Sequence, residues 1–172
     1  MSKNRLTMQI KIRPAIFSDL DTILEIVNHQ ILHSTSIYDY EPRDFEAQKK
    51  WFDDKLAHNI PVIVAELENT PIGFATYGTF REKVGYRFTV EHSVYVADEF
   101  IGKGAGKFLL AELIQLGIKQ GYHTMIGVVD SENKGSILFH QKFGFEIVGT
   151  MKESGYKFDR WLNSVFMQLM LR

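Results

Sequence analysis

The chain has 172 residues, 45% hydrophobic and 24% charged, with a formal net charge of -1 and no cysteine. That length supports a single domain with its own core, and the near-zero charge offers no general attraction to nucleic acid or an anionic membrane, which points to a small-molecule partner. Disulfides and zinc-thiolate sites are excluded, no run approaches the roughly 20 apolar residues of a spanning helix, and residues 1–7 lack the apolar stretch of a leader, so the expected location is the cytoplasm.

Residues 1–7 read as a flexible tail and 8–172 as one domain. Met8 to Arg13 alternates as a half-buried strand would, and Pro14 ends it. Ser18-Asp19-Leu20-Asp21 supplies a capping serine and early acids for a first helix with Ile23, Leu24, Ile26, Val27 and Ile31 at helical spacing. After a loop carrying Tyr38 and Tyr40, Asp44 to Asn59 reads as a second helix, with Phe45, Trp51 and Leu56 among its apolar positions. Val62–Leu67, a turn over Glu68–Pro71 and Ile72–Gly78 form an antiparallel hairpin. A third strand spans about Tyr86 to Val96. Gly104–Gln120 is helical, Thr124–Val129 a strand and Asn133–Phe143 a helix, and two strands follow Phe145 with Gly155 near their turn. This order is a mixed α/β (α+β) sheet flanked by helices, in which only the middle strand-helix-strand unit requires a parallel pair.

The third strand leads through Ile101-Gly102-Lys103-Gly104-Ala105-Gly106-Lys107 into a helix. Such glycines let backbone N–H groups turn inward, and the helix start adds its positive dipole end, so this loop can hold a phosphate. It matches neither G-x-G-x-x-G nor a P-loop, so neither dinucleotide nor nucleoside triphosphate binding follows. His29 and His33 stand four apart, but with no H-E-x-x-H pattern and no third ligand no metal is expected. Glu91 lies inside an apolar strand, sharing a face with Ser93 and Tyr95 by alternation, while Val90, His92, Val94 and Val96 take the other. A carboxylate there is costly unless hydrogen-bonded or wetted, and its pKa can rise toward that of a working base. Arg81, Lys83 and Arg87, with Tyr86 and Phe88, form a cationic and aromatic rim that suits a small zwitterion, although a solvated charged loop reads the same way.

Val94-Tyr95-Val96, the glycine loop and the following helix resemble the coenzyme-A-binding core of GNAT acetyltransferases. Gly104 and Gly106 match that pattern, with Ile101 where Gln or Arg is usual. Asn133, Ser136, His140 and Gly144-Phe145 resemble the second motif, with His140 where many relatives keep a tyrosine. Phe88–Val96, Ser136–His140, Lys157–Trp161 and Phe166–Leu169 look like the phosphinothricin and methionine sulfoximine N-acetyltransferase branch. The resemblance implies a GNAT fold, acetyl-CoA as donor, no metal and a homodimer. It implies acetyl-CoA contacts from Val94, Tyr95, Val96, Gly102, Lys103, Gly104, Ala105, Gly106, Lys107, Asn133 and Ser136. Glu91 becomes the general base and His140 the group that protonates the thiolate or orders a water. Arg81, Tyr86, Arg87 and Tyr38 become contacts to the amine substrate, an analogue of an amino acid. The rival expectations are N-terminal acetylation of a protein, such as a ribosomal one, and a catalytically silent acyl-CoA-binding module.

Overall fold

A computed structural model describes residues 9–172; the tail expected over residues 1–7 and the Met8 start of the first strand lie outside the described residues. The first alternating stretch forms β1 (Lys11–Pro14). A 3-10 turn then leads into α1 (Leu20–His33), which buries Leu20, Ile23, Ile26, Val27 and Ile31 on one face. The expected serine cap does not start this helix. Ser18 lies within the turn, and Asp19 organises the start instead: its carboxylate accepts from the Ile16 N–H at 2.8 Å and from the Arg13 guanidinium at 2.7 and 2.9 Å. A bidentate charge-assisted pair outweighs what a hydroxyl offers there.

α2 (Phe45–Ala57) begins on Asp44, whose side chain accepts from the Ala47 N–H at 2.8 Å. Its inward stripe departs from the sequence expectation. Leu56 is exposed, and Phe45, Gln48, Phe52 and Lys55, spaced by three and four, turn inward. Gln48 is fully buried, and neither atom of its amide has a hydrogen-bond partner among the described residues. An unsatisfied buried polar group costs about 1–3 kcal/mol. Gln48→Leu is therefore expected to raise the urea midpoint by the equivalent of about 1–2 kcal/mol, with activity retained. A lowered midpoint would show that the amide contributes to folding.

β2 (Val62–Leu67) and β3 (Thr70–Thr79) are joined by Glu68 and Asn69 at φ 50° and 63°, a two-residue turn whose twist matches its strands. The turn is thus shorter than expected. Pro71 lies within β3 opposite Glu66, beside a bulge where its missing N–H is tolerated. β4 (Thr89–Val96) also begins later than expected, because Val84–Tyr86 curls into a 3-10 turn closed by the Tyr86 N–H on the Lys83 carbonyl at 2.8 Å. α3 (Ala105–Lys119), β5 (Thr124–Asp130), α4 (Lys134–Gln141), β6 (Glu146–Lys157) and β7 (Arg160–Met170) follow. The last hairpin turns on Phe158 and Asp159, at φ 52° and 56°. Gly155 is not part of that turn. It pairs with Leu162 inside the hairpin, and a Cβ on it would stand 2.3 Å from the Tyr38 ring, so the glycine is there for a side chain to lie on.

The seven strands take the order β1-β2-β3-β4-β5-β7-β6, with β4 and β5 the one parallel pair. α3 covers one face, over Tyr77, Val90 and Met125. α1 and α2 cover the other, over Val62, Val64 and Phe74. Alternation along β4 therefore sends Val94 and Val96 toward the α3 face and Tyr95 toward the α1–α2 face.

Candidate active site

β4 and β5 pair only from Thr89 to Glu91 against Thr124 to Ile126, although β4 runs on to Val96 and β5 to Asp130. Beyond Glu91 the strands part. On the other edge of β4 the ladder with β3 is complete, and two bonds at its ends set its parity: the Ala97 N–H donates to Ile72 and the Phe80 N–H to Thr89. Odd-numbered residues of β4 thus exchange hydrogen bonds with β3, and the backbone groups of His92, Val94 and Val96 face the cleft.

A cavity of about 320 Å³ occupies this cleft, lined among others by Glu91, His92, Val94, Tyr95, Asn133, Ser136 and His140. At its outer end Phe139 and Val96 lie against Gly106, in the first turn of α3. Gly102 and Gly104 sit at φ +81° and +95°, which a side chain would resist. The Phe108 N–H is taken by the Gly104 carbonyl at 3.2 Å, and the preceding amides of Ala105, Gly106 and Lys107 are the unmet donors of a helix start. These features fit a pyrophosphate-bearing ligand running from the loop into the cleft. Lys103 and Ile101 are exposed, with the Lys103 ammonium 4.7 Å from the Phe100 ring centre. Asn133 caps α4, its Oδ1 accepting from the Ser136 N–H at 3.0 Å.

Glu91, Ser93 and Tyr95 also line a second cavity of about 270 Å³ on the α1–α2 face, so the two cavities meet across β4. No side chain among the described residues hydrogen-bonds or ion-pairs with the Glu91 carboxylate, and burial pushes its pKa above the ordinary value.

His140 reaches the cavity wall without the freedom its expected role needs. Its Nδ1 is 2.7 Å from the Ser136 carbonyl, which assigns the proton to Nδ1, and its Nε2 then accepts from His92 Nε2–H at 3.1 Å. Burial holds both imidazoles below their usual pKa, so both are neutral. With both ring nitrogens engaged, His140 has no N–H directed at a thiolate. The Ser136 hydroxyl stands 3.4 Å from His140 Nδ1 and lines the same cavity. Strand alternation alone places His92 on the face opposite Glu91 and gives it no role. Its signal was the small residue opposite: a Cβ on Gly127 would stand 2.9 Å from His92 Nε2 and 3.1 Å from His140.

The 34–40 loop brings Thr35, Ser36 and Tyr38 to the cleft. Thr35 Oγ1 donates to Asp130 at 2.7 Å and the Tyr38 hydroxyl stands 3.3 Å from Ser164 Oγ. Beneath the loop, Lys157 donates to the carbonyls of Ile31, Ser34 and Ile37 at 2.6, 2.8 and 2.5 Å.

Arg81, Tyr86 and Arg87 are not brought to either cavity at Glu91. Arg81 and Arg87 line a third cavity with Ile60, Val90 and Tyr122, which shares Tyr77, Gly78 and Thr79 with the second cavity. The turn at Val84–Tyr86 carries the rim away, and each guanidinium rests on neighbouring rings, Arg81 on Phe80 and Tyr86 and Arg87 on Phe88 at 4.5 Å. Lys55, which sequence reasoning passed over, lines the second cavity with Glu91. His29 is bound to Asp98 at 2.8 Å, and no group of three metal-ligating side chains occurs among the described residues.

A parallel pair that parts beside a phosphate-competent helix start offers a long pyrophosphate-bearing ligand both an anchor and a cleft. Residues 26–145 match the model of the acetyltransferase (GNAT) family, and the chain belongs to that family. It is similar to the L-methionine sulfoximine/L-methionine sulfone acetyltransferase of Pseudomonas aeruginosa, at 42% identity over 95% of this chain and 96% of the relative. A phosphinothricin acetyltransferase from Sinorhizobium meliloti, solved in complex with acetyl-CoA, superposes with TM-score 0.92 at 36% identity, covering 95% of this chain and 89% of that one. A ribosomal-protein-alanine N-acetyltransferase from Brucella melitensis superposes equally well, TM-score 0.92 at 39% identity over 94% and 99% of the two chains.

Proposed function

We propose that this acetyltransferase moves the acetyl group of acetyl-CoA to the α-amino group of small amino-acid analogues, with methionine sulfoximine, methionine sulfone and phosphinothricin as the substrate class. The observation that carries the reading is Glu91, an unpartnered, half-buried carboxylate where the cleft meets a second cavity. Most of an amino acid's amine is protonated at neutral pH and unreactive. Glu91, directly or through a water, removes one proton. The amine nitrogen then bonds to the acetyl carbon, and the Val94 N–H, which faces the cleft, stabilises the carbonyl oxygen as it gains charge. As the C–S bond breaks, the nitrogen loses its second proton and the thiolate takes one up; a thiol pKa near ~8.5 makes it a fair leaving group without a dedicated acid. The amides of Gly102 and of Gly104 to Lys107, with the Lys103 side chain, Asn133 and Ser136, hold the donor, and Tyr38 closes the acceptor side.

Residues 8–172 act as one domain in this reading, in the cytoplasm, where acetyl-CoA is available. A homodimer is supported by the large side chains left exposed on the β6–β7 hairpin, among them Ile147, Met151, Tyr156 and Trp161, which a second copy could cover.

The likeness to the Brucella enzyme favours a second reading, acetylation of a protein N-terminus. Thiol release from acetyl-CoA across a panel of free amino acids, the three analogues and N-terminal peptides separates the two. Turnover confined to the small analogues is expected. Turnover confined to peptides would replace the proposal with its rival, and acetyl-CoA binding without any turnover would leave a silent binding module.

A further inference from the structure

Lys55 holds an unusual place for a lysine. It lies on the inward stripe of α2, three residues after the buried Phe52, and its Nζ donates to the Tyr77 carbonyl at 2.6 Å, 5.8 Å from the centre of the Trp51 ring. No carboxylate lies within ion-pair distance of it among the described residues, and burial lowers its pKa to about 8. The other cation of this cavity, Arg43, is already engaged by Asp39 at 3.2 Å.

The backbone explains how the ammonium and the glutamate come to line one cavity. Gly78 on β3 is the direct cross-strand partner of Glu91, and a Cβ on Gly78 would be 3.3 Å from Lys55 Nζ. Directly opposed residues of an antiparallel pair send their side chains to the same face, about 5 Å apart. Lys55 Nζ therefore borders the space where a side chain of residue 78 would stand, on the Glu91 face, at the wall of the 270 Å³ cavity the two share. One cation and one anion face a common space without pairing with each other. An α-amino acid carries the complementary pair of charges on adjacent atoms.

Resting on the acetyltransferase reading above, we infer that Lys55 recognises the acceptor's α-carboxylate while Glu91 attends to its amine, and that Lys55 thereby selects free amino acids over amidated or peptide acceptors. An amide in place of the carboxylate leaves the ammonium without a counter-charge in a partly dehydrated site, which is how a polar site rejects an analogue.

The test compares methionine sulfone with its carboxamide in wild type, Lys55→Met and Lys55→Arg, with acetyl-CoA saturating. The wild type is expected to prefer the acid by about 100-fold or more in kcat/KM, Lys55→Met to reduce that preference to within about 10-fold through the KM of the acid, and Lys55→Arg to retain most of it. Equal use of acid and amide by the wild type, or an unchanged preference in Lys55→Met, overturns the assignment. Calorimetric binding of acetyl-CoA verifies that each variant is folded. A wild type inert toward every free amino acid would instead remove the small-amine reading of the proposed function, a result distinct from loss of the acid-over-amide preference.

Discussion

Glu91→Gln is expected to lower kcat/KM for the amine by about 10²- to 10⁴-fold, the usual contribution of a positioned base, while the Kd for acetyl-CoA stays within about twofold. The substitution keeps the shape of the side chain and removes its capacity to take a proton. The pH profile supplies a second readout. Glu91 acts as a base only when ionised, and burial pushes its pKa up, so wild-type activity falls as pH drops through a value above that of an ordinary glutamate. That acid limb vanishes in Glu91→Gln. Stability moves the opposite way. A carboxyl whose pKa is raised on folding binds its proton more tightly in the folded state, so the folded protein is penalised as pH rises through the raised value and free of the penalty below the unfolded value. Glu91→Gln is therefore expected to match or exceed wild-type stability at neutral pH, with the difference vanishing in acid. Unchanged turnover in Glu91→Gln would remove the base from the mechanism.

Lys157→Met is expected to cost about 3–5 kcal/mol of folding stability, since it strips the donor from three carbonyls at once and each buried unsatisfied group costs about 1–3 kcal/mol before relaxation. Lys157 is 3% exposed and serves the end of α1 and the first part of the 34–40 loop together. That loop also rests on Gly155, through the Tyr38 ring, and on Tyr156, whose carbonyl accepts from the Tyr40 hydroxyl. Loosening it should therefore raise the amine KM more than that of acetyl-CoA, because the glycine loop lies on a separate element. Urea denaturation gives the first quantity and steady-state kinetics the second. A stability loss below about 1 kcal/mol would mean that water replaces the ammonium at little cost.

Much of the donor side was legible before any coordinates. A glycine run followed by an apolar helical pattern is a local signal, and the backbone conformations it requires, positive φ at Gly102 and Gly104, are the ones found. Glu91 was legible for a similar reason, since a charge in an alternating apolar strand stands out against its neighbours. On the amine side Lys55 was not. Arg81 and Arg87 read as the cationic rim because they stand close to Glu91 in sequence, and the turn at Val84–Tyr86 sets them on a cavity that shares Tyr77, Gly78 and Thr79 with the one Glu91 lines. Lys55 is 36 residues from Glu91 in the chain, and a lysine that follows Asp53 and Asp54 and precedes His58 reads as solvated. Only the packing of α2 against β3 reveals that it faces inward.

What the sequence by itself determined about this protein is whatever depends on near neighbours: the order of strands and helices, the faces of β4, the phosphate-competent helix start and the family. What the tertiary structure alone decided is which distant groups share a space: Lys55 with Glu91, His92 with His140, and Lys157 with carbonyls of α1 and the loop after it, more than 100 residues away. The division has one physical cause. Backbone conformation and periodicity follow from residues a few positions apart, whereas the state of a buried charge follows from what the fold brings beside it.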